Sequence, residues 1–414
     1  MRFGTELMRQ ADVLAQFSED GPRLTRTYLS AEHKQAGEHL IGLMRNAGMT
    51  AGFDALGNIV GRYAAVDPDA AVVMTGSHQD SVRNAGKYDG LFGILTAIAC
   101  VKDLHERDKR LPYTLEIVGF GDEEGVRFGA TLIGSKAMVG SFDPAWLETK
   151  DAQGITLRQA LTDFGGDPDA WDTVDRRGQR VLAYVESHIE QGPVLLNAGL
   201  PVGVVTAIAG CSRLRVQVTG LAGHAGTVPM GARQDALTAA AEMVLFVERH
   251  CEATSGVVGT VGKIAALPGA INVIPQEVEF TLDVRSGDDT VRSEALRVIQ
   301  AAFDDIARRR KVTALATTLF SSNAAPCDAR LQARFAEAIT AHGIPVRHLP
   351  SGAGHDAMVF PTVAPTAMLF IRCGNNGISH HPDETMSAED AEVGTSVLLH
   401  FFEHFDPVVF ARGE

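Results

Sequence analysis

Short apolar runs alternate with helical patterns along the first half of the chain, and this alternation limits the fold more than any other feature. Strand-like runs occupy 71–76, 114–121, 181–188 and 202–208, and a helical stretch at 91–104 separates the first two. Such alternation predicts an α/β sheet with helices on both faces. In open α/β sheets, functional sites form beyond the carboxyl ends of the strands.

The pattern changes near residue 210, and this change predicts a second, smaller domain. Alternating strands at 213–220, 257–266 and 277–286 are accompanied by helical patterns at 233–250 and 290–309. Two helices against an antiparallel sheet are typical of an α+β domain. A chain of 414 residues is also too long for one ordinary core, which favours two domains.

The α/β pattern returns after about residue 325, so the smaller domain is predicted to be inserted into the larger one. A helix is predicted at 328–341, a strand at 366–371, and a final helix from Ser387, which with Asp390 resembles a capping box. The predicted boundaries are 1–210 and 326–414 for the catalytic domain and 211–325 for the inserted domain.

Composition excludes several classes of protein. The net charge of −14 makes the chain a poor general binder of nucleic acid or of an anionic membrane. The five cysteines are scattered without a C-x-x-C pair, which favours a reducing compartment. The N-terminus does not resemble a signal peptide, and the apolar run LFGILTAIACV is too short to span a bilayer. We therefore expect a cytoplasmic protein without nucleic-acid or membrane partners.

Histidines and carboxylates cluster at the ends of the predicted strands. Imidazole and carboxylate groups together suit zinc, manganese or a similar divalent ion. Five candidate ligands are one too many for a single catalytic zinc, but they suit two ions that share one carboxylate. Asp89 is the expected bridge. The candidate metal ligands are His78, Asp89, Glu124, His188 and His380.

The remaining acids near these ligands have separate predicted roles. Adjacent side chains on an extended segment point apart, so Glu124 is assigned to metal and Glu123 to general acid and base catalysis. Asp80 lies two residues beyond His78, and its carboxylate is expected to accept a hydrogen bond from that imidazole and fix its tautomer without binding the metal.

Each of these residues also has an ordinary structural interpretation. A single histidine is more often a surface or core residue than a ligand. Glu123 and Glu124 alone would suit a solvated loop, and Asp89 followed by Gly90 is a turn signal. The metal hypothesis depends on the whole group falling at strand ends or in loops.

Eight motifs in order give the chain a family resemblance over roughly residues 20–405. They are GSHQDSV, YDGLFG, DEEGVRF, HIEQGPVL, GHAGTVPMGARQDAL, NVIPQEVEFTLDVR, SGAGHDA and GISHHPDE. The chain resembles the di-metal amidohydrolases that include allantoate amidohydrolase, N-carbamoyl-L-amino-acid hydrolase and bacterial β-ureidopropionase. The resemblance implies a di-zinc-exopeptidase-like α/β catalytic domain with an inserted α+β lid and dimerisation domain, and therefore a homodimer.

The resemblance also implies roles for particular residues. His78, Asp89 and His188 would hold one ion, and Asp89, Glu124 and His380 the other. The ions would be Zn²⁺ or Mn²⁺, with Co²⁺ or Ni²⁺ as further choices, and Glu123 would be the acid and base. Gln191 would lie near the substrate, and His224 would assist catalysis from the neighbouring subunit. Asn272 and Arg285 would bind the substrate carboxylate; the alternative for Arg285 is an ion pair on a strand.

Some positions leave their roles open. His381 stands where relatives often have asparagine and is a rival ligand to His380. The roles of His355 and Asp356 are not fixed by the sequence, although both suit the wall of the site.

We therefore expect hydrolysis of a carbamoyl C–N bond in a small ureido carboxylate, with release of ammonia and carbon dioxide. Allantoate is the first choice of substrate. N-carbamoyl-L-amino acids and N-carbamoyl-β-alanine are the close alternatives. A dipeptidase or N-acyl-amino-acid hydrolase is more remote. A binding protein without catalysis is disfavoured because Glu123 is intact.

Overall fold

The computed structural model describes residues 1–411, which form helices and strands along their whole length. The α-helices are α1 Gly4–Leu14, α2 Ala31–Asn46, α3 Leu91–Glu106, α4 Ile133–Met138, α5 Leu157–Phe164, α6 Val194–Ala198, α7 Ala236–Ala253, α8 Asp289–Arg310, α9 Ala329–Ala341, α10 Ala388–His404 and α11 Pro407–Ala411. Short 3₁₀ helices span Pro144–Glu148, Trp171–Val174, Met230–Ala232, Asp356–Thr362 and Asn375–Gly377.

The strands alternate with these helices in the first half of the chain, as the sequence predicts. They are β1 Thr50–Phe53, β2 Ile59–Tyr63, β3 Val72–His78, β4 Thr114–Phe120, β5 Val181–Ile189, β6 Val202–Ile208, β7 Gly210–Thr219, β8 Gly223–His224, β9 Val257–Thr260, β10 Ile264–Leu267, β11 Val273–Ile274, β12 Glu277–Ser286, β13 Thr313–Ser322, β14 Ala325–Pro326, β15 His348–Ser351 and β16 Thr366–Ile371.

The chain divides into two compact units. The larger unit comprises residues 1–206, 327–349 and 353–414, and the smaller unit comprises 207–326 and 350–352. The prediction that 211–325 acts as a lid and dimerisation domain concerns its role and stays a prediction.

The larger unit is built on a mixed sheet with a parallel centre. Its strands lie in the order β1–β2–β4–β3–β5–β16–β6. β3 is parallel to β4 and to β5, and β16 is parallel to β5, whereas the strands outside this group pair antiparallel. The α/β fold class is therefore confirmed, and the carboxyl ends of four parallel strands meet at one edge of the sheet.

Burial explains why the central strands and α3 form. Every residue of β3 and β4 is buried, as a parallel strand covered on both faces requires. α3 is apolar almost all round and packs against β3 and β5. A Cβ at Gly93 would lie 2.3 Å from the Ser187 carbonyl oxygen, so this glycine lets the helix backbone approach the sheet closely.

The smaller unit has its own sheet and core. Its five strands include the path β10–β12–β7–β13, with β9 also paired to β12, and all pairings are antiparallel. α7 and α8 pack on this sheet around a core that includes Phe280 and Phe303. Asp235 and Asp288 cap the two helices by accepting hydrogen bonds from backbone N–H groups.

The five-stranded sheet of this unit differs from the prediction at two points. The single strand predicted at 257–266 is two strands, because β9 pairs with 283–286 of β12 while β10 pairs with 277–280. The sequence analysis also did not predict β13, which pairs with β7 along most of its length.

Within residues 1–411, no helix is both long enough and apolar enough to cross a membrane. All five cysteines are buried, and each is a free thiol.

Candidate metal centre

The candidate ligands lie where the parallel strands of the larger unit end. His78 is the last residue of β3, and His188 is the second-last residue of β5. Glu123 and Glu124 follow the end of β4 by three and four residues. Because adjacent parallel strands end at the same edge of a sheet, these side chains converge although the sequence separates them widely.

The carboxylate of Asp89 lies at the centre of this group. Its Oδ1 is 3.6 Å from His78 Nε2 and 3.3 Å from His188 Nε2. Its Oδ2 is 3.1 Å from His380 Nε2, and that nitrogen is 3.5 Å from Glu124 Oε1. One oxygen of Asp89 therefore faces two histidines, and the other faces a third histidine and a glutamate.

Residues 1–411 contain four groups of possible metal ligands, and two of these groups share Asp89. In each group the ligand atoms lie within 4.8 Å of one another. The first group is His78, Asp89 and His188, and the second is Asp89, Glu124 and His380. The structure thus brings all five predicted ligands together in the division that the sequence analysis expected.

A tight turn at Gly90 sets the position of Asp89. Gly90 has φ +63°, a left-handed conformation that glycine adopts without steric cost. A Cβ at this position would also lie 2.4 Å from the His78 ring. Only a residue without a side chain lets the turn approach the imidazole this closely.

Burial and crowding shift the ionisation of this group. Burial disfavours the charged form of Asp89, but hydrogen bonds from His380 and His78 hold the pKa of its carboxyl well below the usual range. Burial, reinforced by Asp89 against the opposing effect of His78, raises the pKa of Glu124 to about 7. Burial also raises the pKa of Glu123 and lowers that of His188 to about 4. Crowded carboxylates beside imidazole nitrogens are a donor set that suits divalent cations.

Asp80 acts differently from the prediction. The Nδ1 atom of His78 lies 3.0 Å from the backbone carbonyl oxygen of Asp80, whereas the Asp80 carboxylate is 3.8 Å away. That carboxylate instead accepts hydrogen bonds of 3.2 Å from the backbone N–H groups of Glu123 and Glu124. The carbonyl therefore fixes the imidazole, and the side chain holds the loop that carries both glutamates.

Three residues of uncertain role lie near the centre or beside it. The rings of His355 and His188 contact edge to face, with centroids 4.4 Å apart. Asp356 is fully buried. The Nδ1 atom of His381 accepts a hydrogen bond from the Asp383 N–H, and His381 belongs to none of the ligand groups found among residues 1–411.

Comparison with known proteins identifies the family. Residues 74–404 match peptidase family M20/M25/M40. The chain belongs to this family. Individual relatives match nearly the whole chain, and together with the family match they confirm the predicted resemblance and the prediction of a hydrolase acting on C–N bonds.

Three relatives illustrate the similarity. An N-carbamoyl-L-amino acid amidohydrolase of Geobacillus stearothermophilus is 41% identical over 377 residues, which cover 91% of this chain and 92% of the relative. A probable allantoate deiminase of Oryza sativa subsp. japonica is 37% identical over 440 residues, covering 96% and 89%. The crystal structure of a hydantoinase/carbamoylase family amidase from Burkholderia multivorans has a TM-score of 0.91 at 32% identity, covering 96% and 97%.

Glu384 was not predicted, although it connects two loops of the candidate metal centre. Glu384 is buried, and its Oε1 accepts hydrogen bonds from the backbone N–H groups of Tyr88 and Asp89 at 2.9 and 3.2 Å. Its Oε2 accepts a 2.7 Å hydrogen bond from Ser379 Oγ. Glu384 thus joins the loop of Asp89 to the loop of His380. Its position four residues after His380 was the available signal.

Gln191 also contacts the carboxylate of Asp89. Its Nε2 donates to Asp89 Oδ2 at 3.0 Å and lies 3.3 Å from Ser379 Oγ. The backbone of Gln191 has φ +56°, which is uncommon for a residue other than glycine and holds the side chain at the centre.

The other predicted substrate residues lie in the smaller unit. His224 in β8 pairs with Val273 in β11, and the Ala225 N–H donates to the Asn272 carbonyl oxygen at 3.0 Å. His224 and Asn272 are therefore close neighbours, and both are exposed. Arg285 lies in β12, where it forms the ion pair with Asp283 that the sequence analysis gave as the alternative.

Proposed function

We propose that this chain is a metal-dependent amidohydrolase that cleaves the carbamoyl C–N bond of a small ureido carboxylate. The observation that carries the proposal is the division of contacts around Asp89, with His78 and His188 at one oxygen and His380 at the other. The names of the relatives support the reaction class, because the bacterial one is an N-carbamoyl-L-amino acid amidohydrolase and the rice one a probable allantoate deiminase.

Two divalent ions are the proposed cofactors. His78, Asp89 and His188 would hold one ion, and Asp89, Glu124 and His380 the other. When bound, the ions would supply Lewis-acid stabilisation of the charge that develops on the carbamoyl oxygen. Zn²⁺ and Mn²⁺ suit these imidazole and carboxylate donors best, with Co²⁺ and Ni²⁺ as further choices.

Glu123 is the proposed acid and base. It takes a proton from the attacking water and delivers it to the leaving nitrogen, so one carboxyl serves both halves of the hydrolysis. Burial raises the pKa of this carboxyl, which favours the protonated form that the second half requires. The carbamoyl group leaves as ammonia and carbon dioxide, and an amine remains.

The proposed substrate contacts come from four residues. Gln191 presents an amide beside Asp89, which suits hydrogen bonding to the carbamoyl group. Arg285 would bind the substrate carboxylate through two parallel hydrogen bonds, and Asn272 would assist it. His224 would stabilise the developing oxyanion from a neighbouring subunit.

A homodimer formed through the smaller unit belongs to the same proposal. Several large apolar side chains of this unit are highly exposed, with Met230 75% exposed and Ile271 fully exposed. Exposed apolar side chains of this size mark association surfaces when they cluster. Light scattering should give twice the mass of the chain, and a monomer would contradict this part.

Two kinds of ureido carboxylate are the candidate substrates. Allantoate is proposed first. N-carbamoyl-L-amino acids are the second candidate, and the apolar side chains of Leu214, Val258 and Leu319 near Arg285 favour them because they suit an apolar substituent.

An ammonia-release assay on the metal-reconstituted enzyme tests the reaction class. The compounds are allantoate, ureidoglycolate, N-carbamoyl-β-alanine, several N-carbamoyl-L-amino acids and an N-acetyl amino acid. Release of the amine in parallel with ammonia supports carbamoyl hydrolysis. A preference for the N-acetyl compound would overturn it in favour of an acylase.

Replacing Glu123 by glutamine tests the acid and base role. We expect Glu123→Gln to abolish turnover while the metal content stays at two ions per chain. Persisting activity would show that another group moves the proton.

A further inference from the structure

Asp283 lies between two arginines on the sheet of the smaller unit. β12 places Asp283 and Arg285 two residues apart, which puts their side chains on the same face of the strand. β7 places Arg213 directly opposite Asp283 in the antiparallel pairing. Asp283 therefore contacts both arginines at once.

The contacts leave a defined part of the Arg285 guanidinium free. Its Nε donates to Asp283 Oδ1 at 3.0 Å and its Nη2 to Asp283 Oδ2 at 3.2 Å. Its Nη1 donates to the Gly352 carbonyl oxygen at 2.7 Å. A guanidinium has five N–H groups, so one N–H on Nη1 and one on Nη2 remain without a hydrogen bond within residues 1–411. A carboxylate can accept both in the bidentate arrangement that arginine favours.

Arg213 holds Asp283 from the other side. Its Nε donates to Asp283 Oδ2 at 3.0 Å. Burial favours the neutral form of Asp283, but Arg285 and Arg213 outweigh it and hold the pKa of the carboxyl below its usual range. The carboxylate is therefore fixed by hydrogen bonds to both neighbours.

These three residues line a cavity of about 870 Å³ in the smaller unit. Two arginines and one aspartate carry a net charge of +1 there, which one carboxylate group neutralises. The cavity therefore matches a ligand with a single carboxylate.

We propose that Asp283 is a positioning residue, which sets the orientation of the Arg285 guanidinium for a substrate carboxylate while Arg213 anchors Asp283. This inference rests on the proposed function, in which Arg285 binds that carboxylate. Asp283 would thus influence substrate specificity through Arg285, without contacting the substrate itself.

The test compares two substrates in the metal-loaded enzyme. One is the best ureido carboxylate of the assay, and the other is the same compound with a carboxamide in place of the carboxylate. We expect Asp283→Asn to lower kcat/KM for the carboxylate roughly 10- to 100-fold, mainly through KM, because a misplaced binding group loses its alignment. The carboxamide should react as well as it does with the wild type. Asp283→Glu should restore part of the loss.

Glu242 provides a matched control in the same unit. Its two carboxylate oxygens accept hydrogen bonds from Arg309 and Arg310, each at 2.5 Å, so it also joins two guanidinium groups. It does not line the cavity. Glu242→Gln should leave the ratio of the two substrates at the wild-type value.

The outcomes separate the inference from the proposed function. An equal loss of kcat/KM for both substrates in Asp283→Asn would show that Asp283 has a structural role only. A lower KM for the carboxylate substrate in this variant would show that Asp283 competes with the substrate for Arg285. Either result overturns the inference. If Arg285→Lys loses the preference for the carboxylate while Asp283→Asn keeps it, positioning fails and the carboxylate role of Arg285 stands. If both variants keep the preference, the role proposed for Arg285 fails as well.

Discussion

Replacing Asp80 by asparagine should impair the enzyme by disturbing the loop of Glu123. The two oxygens of Asp80 each accept one backbone N–H, from Glu123 and from Glu124. An asparagine has only one acceptor oxygen, and its NH₂ group would face the second N–H. One buried donor is therefore left without a partner in the variant.

The magnitude follows from that lost acceptor. An unsatisfied buried N–H costs about 1–3 kcal/mol of unfolding free energy. The substitution also removes a negative charge near the buried Arg26, whose pKa burial already lowers to about 10. If the loop shifts to relieve the unpaired N–H, Glu123 shifts with it. A displacement of about 1 Å in a reacting group costs roughly 100-fold in kcat.

Steady-state kinetics and denaturant unfolding of metal-loaded Asp80→Asn measure the two effects. Asp288→Asn is the matched control. Asp288 accepts two hydrogen bonds from backbone N–H groups, both at Oδ1, and an asparagine keeps this acceptor oxygen. Asparagine is also a good N-cap residue, so this variant should behave as the wild type. Wild-type kcat and stability in Asp80→Asn would refute the reasoning.

Two further predictions concern other buried groups. Glu384→Ala should lower metal affinity roughly 10- to 100-fold, as loss of a residue that orients a ligand does. Glu384→Gln keeps an acceptor for the backbone N–H groups of the Asp89 loop and should therefore lose less affinity. Metal titration measures both variants, and wild-type affinity in Glu384→Ala would contradict the role of Glu384. For the fully buried His33, burial lowers the pKa from 6.5 to about 3. The unfolded chain therefore binds more protons between these values, and stability is lost as pH falls from 6.5 toward 3. The free energy of unfolding, measured between pH 3 and 6.5, should depend less on pH in His33→Leu than in the wild type. An unchanged dependence on pH would contradict this prediction.

The parts of the fold that the sequence predicts are those with a strong local signal. The buried strands β3, β4 and β5 each contain a short apolar run, and α3 follows β3 with a helical pattern, so the α/β class could be predicted. β13 was missed because most of its residues are exposed, none is buried, and its pairing with β7 is a tertiary contact. The pattern at 257–266 did not reveal which half of β12 each piece would pair with.

Site residues next to a strand could likewise be predicted from the sequence, whereas those that depend on contacts with distant parts of the chain could not. His78, Glu124 and His188 could be chosen because each falls at the end of a strand signal. Glu384 was missed, because its position four residues after His380 does not show that its hydrogen-bond donors, Tyr88 and Asp89, lie almost three hundred residues earlier in the chain. The role of Asp80 depends on whether its carbonyl or its carboxylate turns toward His78, and the spacing of two residues is the same in both cases.

The place of β16 in the sheet has a consequence for biosynthesis. β16 lies between β5 and β6, although it is made more than 150 residues after them. While the ribosome is still producing the smaller unit, β5 and β6 lack the strand that joins them, and their unpaired backbone groups are open to other chains. A nascent chain that stalls before Thr366 therefore exposes two unpaired strand edges. We expect chaperones to bind this protein mainly during that interval of translation.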